Sequence, residues 1–473
     1  MEARGRKDQE EIQGVMELQE FESMTPERRA EFIGEEVEAH NSGKAMKAAD
    51  ENRKYYETNN PAIAERKKMY AASLEEGDTL RAVAKENKYA ANEKVASSFF
   101  RDITDAKVQY LLGEGVDVTA LDEGGKDAVA SVFAPISTQM KRMGQESLTD
   151  ALVYRFGYTY MQVINGAVTL NAVPFCEVKA YRDRYGALEA VLRHYKRGKQ
   201  EFAEWHTAEK VYPFRKGDEG WEAEPERWQI QTVKAYPDGT VEEMQGRGWP
   251  RIPWFEMRHN NDGTSSLTNS AKTMIRCYDV TVSDFANNLI DMQDVFVSLK
   301  ADSAYSGQDY GETLELLRNF KVAENVEGVT TFEVPYQARK VLMDTMKADI
   351  YAALRGVDVG RISGGNLTNT AIRALYSDID LWADQAQWHI EDWAREVMEA
   401  AAWYMGVTLP PVVVKMQRRM VFDEVANMDA MARQLNVVSR KTMLENHPLV
   451  TDAQAELERI DAEEAGAAYG EGL

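Results

Sequence analysis

The stretch RGVDVGRISGGNLTNTAIRALYSDIDLW, residues 355–382, places Gly356, Gly360, Gly364 and Gly365 in a short loop before a strongly patterned segment. From Thr370 the apolar positions Ile372, Tyr376, Ile379, Trp382, Ala386 and Ile390 recur at helical spacing, so a long helix to about Met405 is expected. A glycine loop that opens a helix has two readings: a phosphate cradle or a moving structural loop. A Walker A cradle needs GxxxxGK[ST], because its Lys reaches the phosphates and its Ser or Thr hydroxyl meets the metal. Here Gly364 is followed by Gly365 and Asn366, and no clear strand precedes the loop. A structural loop on a rigid helical base is the reading that fits.

Working outward, the chain has 473 residues, of which 44% are hydrophobic, so several domains or one large protomer can be built around a real core. No run of about 18 apolar residues occurs, so no membrane span is expected. The N-terminal MEARGRKDQEEIQG has no apolar core, which is not the pattern of a secretory leader. Two cysteines, Cys176 and Cys277, stand at no metal-like spacing, and a reducing cytoplasm suits them. The formal charge is −22. A protein that grips nucleic acid presents a basic face, so tight binding is disfavoured. The first reading of such acidity is solubility; a wall along which DNA slides without sticking is also compatible with it.

The sequence preceding the loop divides by its periodicity. Residues 1–51 are polar and Glu-rich and read as a peripheral arm, with a helix begun by Thr25 as N-cap and Pro26 at the first helical position. A second helical region over 42–68 breaks at NNPAI. In the segment ANEKVASSFFRDITDAKVQYLLGEG, Val95, Phe99, Ile103, Ala106 and Tyr110 lie on one face and predict a helix that ends near Gly113. After a helical patch near 147–154 the period becomes two. Asn165-Gly166 between two β-rich runs predicts a two-residue hairpin, and further strands follow to about Met257. Over 266–300, Tyr278, Val282, Phe285, Leu289, Met292 and Phe296 alternate spacings of four and three, a heptad-like seam that wants a partner helix. A small insert, a helix opened by Pro335, the glycine loop and the long helix complete the order. The run PPVVVKMQRRMVFDEVANMDAM and the remainder suggest a strand-like piece and two or three C-terminal helices. The fold class expected is α+β.

Catalytic patterns are not found. Six histidines show no HExxH or paired spacing, and no GxSxG elbow occurs. Asp284, Asp291 and Asp294 read as a solvated helix face rather than a metal site. Trp382, Trp388, Trp393 and Trp403 read as core and interface packing. No metal, cofactor or catalytic residue is expected.

Several runs taken in order resemble the portal proteins of tailed bacteriophages, in the siphophage branch. The resemblance spans about residues 52–403. It rests on NRKYYETNNPAIAERK; on Asn92, Phe99, Phe100, Lys107, Tyr110, Leu111, Leu112 and Gly113; on Ser283, Asp284, Phe285, Ala286, Asn287, Leu289 and Asp291; and on Gly365, Asn366, Ala371, Leu375, Tyr376, Leu381 and Ala383. It implies a homo-oligomeric ring, typically of about twelve subunits, at one capsid vertex of the virion, made in the host cytoplasm. Double-stranded DNA would pass through the ring's channel during packaging and ejection. The terminase large subunit, the major capsid and scaffolding proteins, and head-completion or adaptor proteins would be its partners, and it would not itself be an enzyme. The same resemblance maps residues 52–265 to a wing, 266–300 and 335–355 to stem helices, and 301–334 to a clip. Residues 356–369 would be a tunnel loop, 370–405 a wing-to-crown helix and 406–473 a crown with an acidic tail. Arg361, Ser363, Gly364, Gly365, Asn366, Thr368 and Asn369 would then face the DNA. The competing readings are a cytoplasmic α+β enzyme with no recognisable motif and a capsid adaptor without a DNA channel.

Overall fold

The computed structural model describes residues 21–293 and 336–418, apart from 68, 77–78, 87–90, 165, 236–240, 359 and 361–368, together with 298–299, 323–324, 439–445, 450, 454 and 456–462. The chain forms two compact units: residues 1–356 with 381–418, and residues 357–380 with 419–473. Helix and sheet are mixed throughout the first, as the α+β reading expects.

In the first unit, α1 (Pro26–Ser42) starts where the sequence placed it. Thr25 accepts a hydrogen bond from the Arg28 amide at 3.4 Å, and Pro26 occupies the first turn, where its missing N–H is not needed. The helix does not lie apart from the core. Phe21, Phe32 and Ile33 are buried against Trp205, with Phe21 stacked on the indole at 4.7 Å. The surface they cover belongs to an antiparallel sheet of β6 (Val178–Arg182), β7 (Leu188–Arg197), β8 (Gln200–His206), β9 (Lys210–Lys216) and β10 (Trp221–Ala223), neighbours in that order.

A second sheet orders β14 (Trp254–Met257), β4 (Gly157–Ile164) and β5 (Ala167–Val173). Ile164 pairs with Ala167, so two residues make the turn, and Gly166 has a φ of +80°, as a tight hairpin requires. The helix α6 (Ser137–Val153) packs on β4 at the closest possible approach. A Cβ on Gly157 would stand 1.8 Å from the Ser147 carbonyl oxygen, so only glycine fits there. Trp393 of the long helix α9 (Asn369–Met405) wedges into the same place. Its ring meets Gly144, and its N–H donates to Thr159 Oγ1 at 3.2 Å.

Two further helices, α7 (Asn269–Gln293) and α8 (Tyr336–Ala353), pack on each other and, through Ile275, Ile350 and Leu354, on Ile103 and Phe100 of α4 (Phe99–Leu112). The helix α4 is shorter than its apolar spacing predicts: residues 92–98 are not helical, and Val95 is partly exposed. The cause lies on α7. Asn287 accepts from the Glu93 amide at 2.6 Å and donates to the Glu93 carbonyl at 3.1 Å. Ser283 accepts from the Val95 amide at 3.0 Å, and Asp279 from the Ser97 amide at 3.0 Å. A helix rises about 6.0 Å over four residues. An extended chain advances about 6.6 Å over two. Side chains at i, i+4 and i+8 can therefore hold alternate amides of an antiparallel strand. With those N–H groups taken, residues 93–97 do not join the helix.

The chain ends the first unit with β17 (Val412–Met416), paired antiparallel with β3 (Val116–Ala120). Among the described residues, the second unit contains the first turns of α9, up to Asp380, and short helical pieces at 440–445 and 456–462.

Candidate functional site

Of the residues expected to line a channel, Arg361, Ser363, Gly364, Gly365, Asn366 and Thr368 lie outside the described residues, and Asn369 opens α9. What the structure does show is the frame at the loop's beginning. The helix α8 stops in a Schellman arrangement: the Arg355 amide donates to the Ala352 carbonyl at 3.1 Å, and the Gly356 amide to the Tyr351 carbonyl at 2.8 Å. The position that must turn left-handed is Arg355, with φ +50°. At the end of α9 the same device uses Gly406, with φ +70° and a Val407 amide bond to Ala402. A left-handed non-glycine residue costs about 1–2 kcal/mol, so an arginine at this corner is held against a conformational penalty. Gly356 serves a different need. A Cβ there would stand 2.8 Å from the Ile103 side chain, so this glycine permits close packing rather than motion.

Beside this corner lies a buried polar cluster that the sequence did not reveal. Lys107 of α4 is buried, and its ammonium sits 4.9 Å from the centre of the Trp382 ring. Among the described residues no ion pair reaches it. Burial, with a smaller push from the Arg355 guanidinium, lowers its pKa to about 7. The Trp382 N–H points at His259 Nδ1 at 3.4 Å, while His259 Nε2 lies 2.8 Å from the Thr264 carbonyl. That pattern fixes one neutral tautomer: Nε2 donates and Nδ1 accepts. Burial, and secondarily Lys107, holds His259 down to about 3. Trp382 of α9 is thus tied to α4 by a cation–aromatic contact with Lys107, and to the segment after β14 by an indole–imidazole contact with His259.

The expected seam residues are placed as follows. Tyr278 meets Phe99 at 5.0 Å, Phe285 meets Tyr336 at 6.0 Å, and Val282 is half-buried. Leu289 is 47% exposed; Met292 lies on α7 with its side chain outside the description, and Phe296 is outside the described residues. The most deeply buried line on α7 is instead Ala271, Ile275, Asp279, Ser283 and Asn287. Asp279 also accepts from Asn60 at 2.7 Å, and burial raises its pKa despite the two hydrogen bonds. A periodicity search that treats polar residues as solvent-facing misses this line. Its four-residue spacing is the one available signal.

A cleft of about 570 Å³ lies in the first unit between residues 249–258 and the 389–403 face of α9. Among the described residues, no group of histidine, cysteine and carboxylate side chains is arranged to hold a metal ion. No described helix is long and apolar enough to cross a membrane.

Comparison with known proteins follows the same direction. The family model described as phage portal protein, SPP1 Gp6-like, matches residues 37–469. The portal protein of Clostridium phage phiCD119 is 25% identical over 223 residues, which cover 45% of this chain and 48% of that protein. The portal protein of Bacillus phage SPP1 is 24% identical over 231 residues, covering 46% of each. The chain spans about half the length of these curated relatives. A solved chain from the neck of a native gene transfer agent particle, computed with C12 symmetry, is 12% identical, covers 74% of this chain and 88% of its own length, and has a TM-score of 0.39, too low to carry weight. The family match covers most of the chain, and the chain belongs to the SPP1 Gp6-like family of phage portal proteins.

Proposed function

We propose that this protein assembles as a ring of about twelve copies at a capsid vertex and that double-stranded DNA passes through its axial channel during packaging and ejection. The observation that carries this reading is the family match over residues 37–469. The net charge of −22 supports a wall that does not grip phosphates. The large apolar side chains Leu381 and Trp388, seven residues apart on α9 and 64% and 75% exposed, support a subunit contact on that helix.

On this reading residues 266–300 and 335–355 are the stem, 301–334 the clip that meets the terminase large subunit and later the head-completion proteins, and 356–369 the tunnel loop. Arg361, Ser363, Asn366, Thr368 and Asn369 would offer few, reversible phosphate contacts, and Gly364 and Gly365 the freedom to follow moving DNA. The stop at Leu354–Gly356 supports a loop that starts from a fixed point. The test is DNA packaging with Arg361→Ala and with a variant lacking Gly364 and Gly365. Packaged DNA per particle should fall while the mass of the ring is unchanged. Normal packaging by both variants would remove the loop from the channel.

A further inference from the structure

The cleft beside α9 has no part in the reading above, and its chemistry is specific. One wall is the α9 face with Asp392, Glu396 and Glu399, at i, i+4 and i+7. Asp392 is paired with Arg395 at 2.9 Å, but no ion pair reaches Glu396 or Glu399 among the described residues. Glu396 keeps exposed surface, yet the cleft walls desolvate its carboxyl and, with Asp392 and Glu399, raise its pKa, while Arg251 opposes the rise. Arg251 reaches Glu396 only at a distance, so the desolvated Glu396 and its neighbour Glu399 face the cleft with no cation in ion-pair contact among the described residues, a place that a ligand's cation would fill.

The floor is aromatic. Trp249, Trp254, Trp393 and Trp403 line it, with Trp249 and Trp403 centred 5.4 Å apart. Trp249 and Trp254 are buried, and neither indole N–H finds an acceptor among the described residues. One of these rings already takes a guanidinium from outside the cleft: Arg247 lies 5.1 Å from the Trp403 ring. The far wall carries Arg182 and Arg258, both bound to Glu256, and Arg251, which is exposed. That wall therefore offers donors, while the α9 wall offers acceptors.

We infer that this cleft is a docking site for an extended, arginine-bearing peptide segment of a partner protein. The segment's arginine would lie over the tryptophan floor and reach Glu396 and Glu399, which a planar guanidinium can engage with two parallel N–H bonds. Its backbone carbonyls would face the guanidinium wall. An extended segment suits a cleft with an aromatic floor, because its backbone groups are not already paired with one another. The cleft's volume, within the usual range for bound ligands, takes a few residues rather than a whole helix.

The experiment is a tryptophan-fluorescence titration of the full-length protein at pH 7.5 with a blocked proline–arginine hexapeptide. The same peptide with citrulline for arginine is the control. Saturable binding is expected, weakened at least ~10-fold by citrulline or by the pair Glu396→Gln and Glu399→Gln, whose side chains keep their size. Glu123→Gln, on an exposed turn that does not line the cleft, should leave binding unchanged. Binding that is absent, or equal for the citrulline peptide, overturns the inference. Binding by dissociated subunits but not by the assembled protein would also overturn it, assigning the cleft to a second copy. None of these outcomes depends on whether the ring conducts DNA.

Discussion

Replacing Asn287 by Ala should unfasten residues 93–97 from α7. Asn287 makes two hydrogen bonds to the Glu93 backbone, at 2.6 and 3.1 Å, and its side chain is buried. Each such bond contributes about 1 kcal/mol net, so the pair is worth about 2 kcal/mol. The loss falls on a local opening rather than on the whole molecule, because Phe100, Ile103 and the rest of α4 keep their own core contacts. In the regime where closing outruns chemical exchange, about 2 kcal/mol speeds amide exchange roughly 30-fold. Hydrogen exchange read by mass on a peptide covering 92–98 is the assay. Ser283→Ala should act in the same direction through Val95, and Thr281→Ala should not, since that hydroxyl only bonds back to Cys277 on the exposed side of the helix. Unchanged exchange over 93–97 in Asn287→Ala would refute the idea that α7 side chains hold this segment out of the helix.

Other expectations concern buried charge and the corner before the loop. Burial pushes Asp150 up to about 7, against a hydrogen bond from the Phe175 amide at 3.1 Å. Its folded pKa is raised, so the stability it lends is present in acid and lost as pH rises from about 4 to about 7. Asp150→Asn should therefore gain on wild type over that window, by on the order of 4 kcal/mol at pH 8, in urea titrations at several pH values. His259 acts the other way, its contribution being lost as pH falls from 6.5 toward about 3, so the difference between variant and wild type is the quantity to follow. A pH-independent difference would contradict the burial argument. Lys107→Met should raise stability at pH 7, and the gain should shrink as pH rises toward 10.5, where the unfolded lysine also loses its charge; a less stable variant would mean the ammonium has a strong partner. At the α8 stop, Arg355→Gly should stabilise by about 1 kcal/mol. Gly356→Ala, one residue on, should destabilise through Ile103. Denaturation midpoints that moved in the same direction for both would undo the distinction between a strained corner and a packing contact.

How far the sequence was legible varied with whether its signals were local. Thr25-Pro26 marked the start of α1, and Asn165-Gly166 marked the β4–β5 hairpin, because capping and tight turns are decided within a few residues. The long helix after the loop followed from periodicity, and the strand-like piece expected after it is the strand at 412–416. The segment 92–98 was misread as helix. Val95 stands four residues before Phe99, as it would on a helix, but its amide belongs to Ser283, 188 residues away. On α7 the apolar seam was visible, while the deepest line is polar, and a polar residue in sequence gives no sign that a distant backbone will satisfy it. The glycines of 355–382 were read as a source of freedom. At Gly356 the structure shows close packing instead, and the left-handed turn falls on Arg355. Lys107 was visible as part of a family resemblance, not as a buried cation over Trp382, because that contact joins elements 275 residues apart in sequence.

The central claim is that copies of this chain close into a ring around a channel. The most direct measurement is the native mass of the purified protein together with negative-stain images. The account predicts a particle of roughly 640 kDa, about twelve copies of a 53.5 kDa chain, with a central hole. A monomer or dimer at every protein concentration and salt would contradict it.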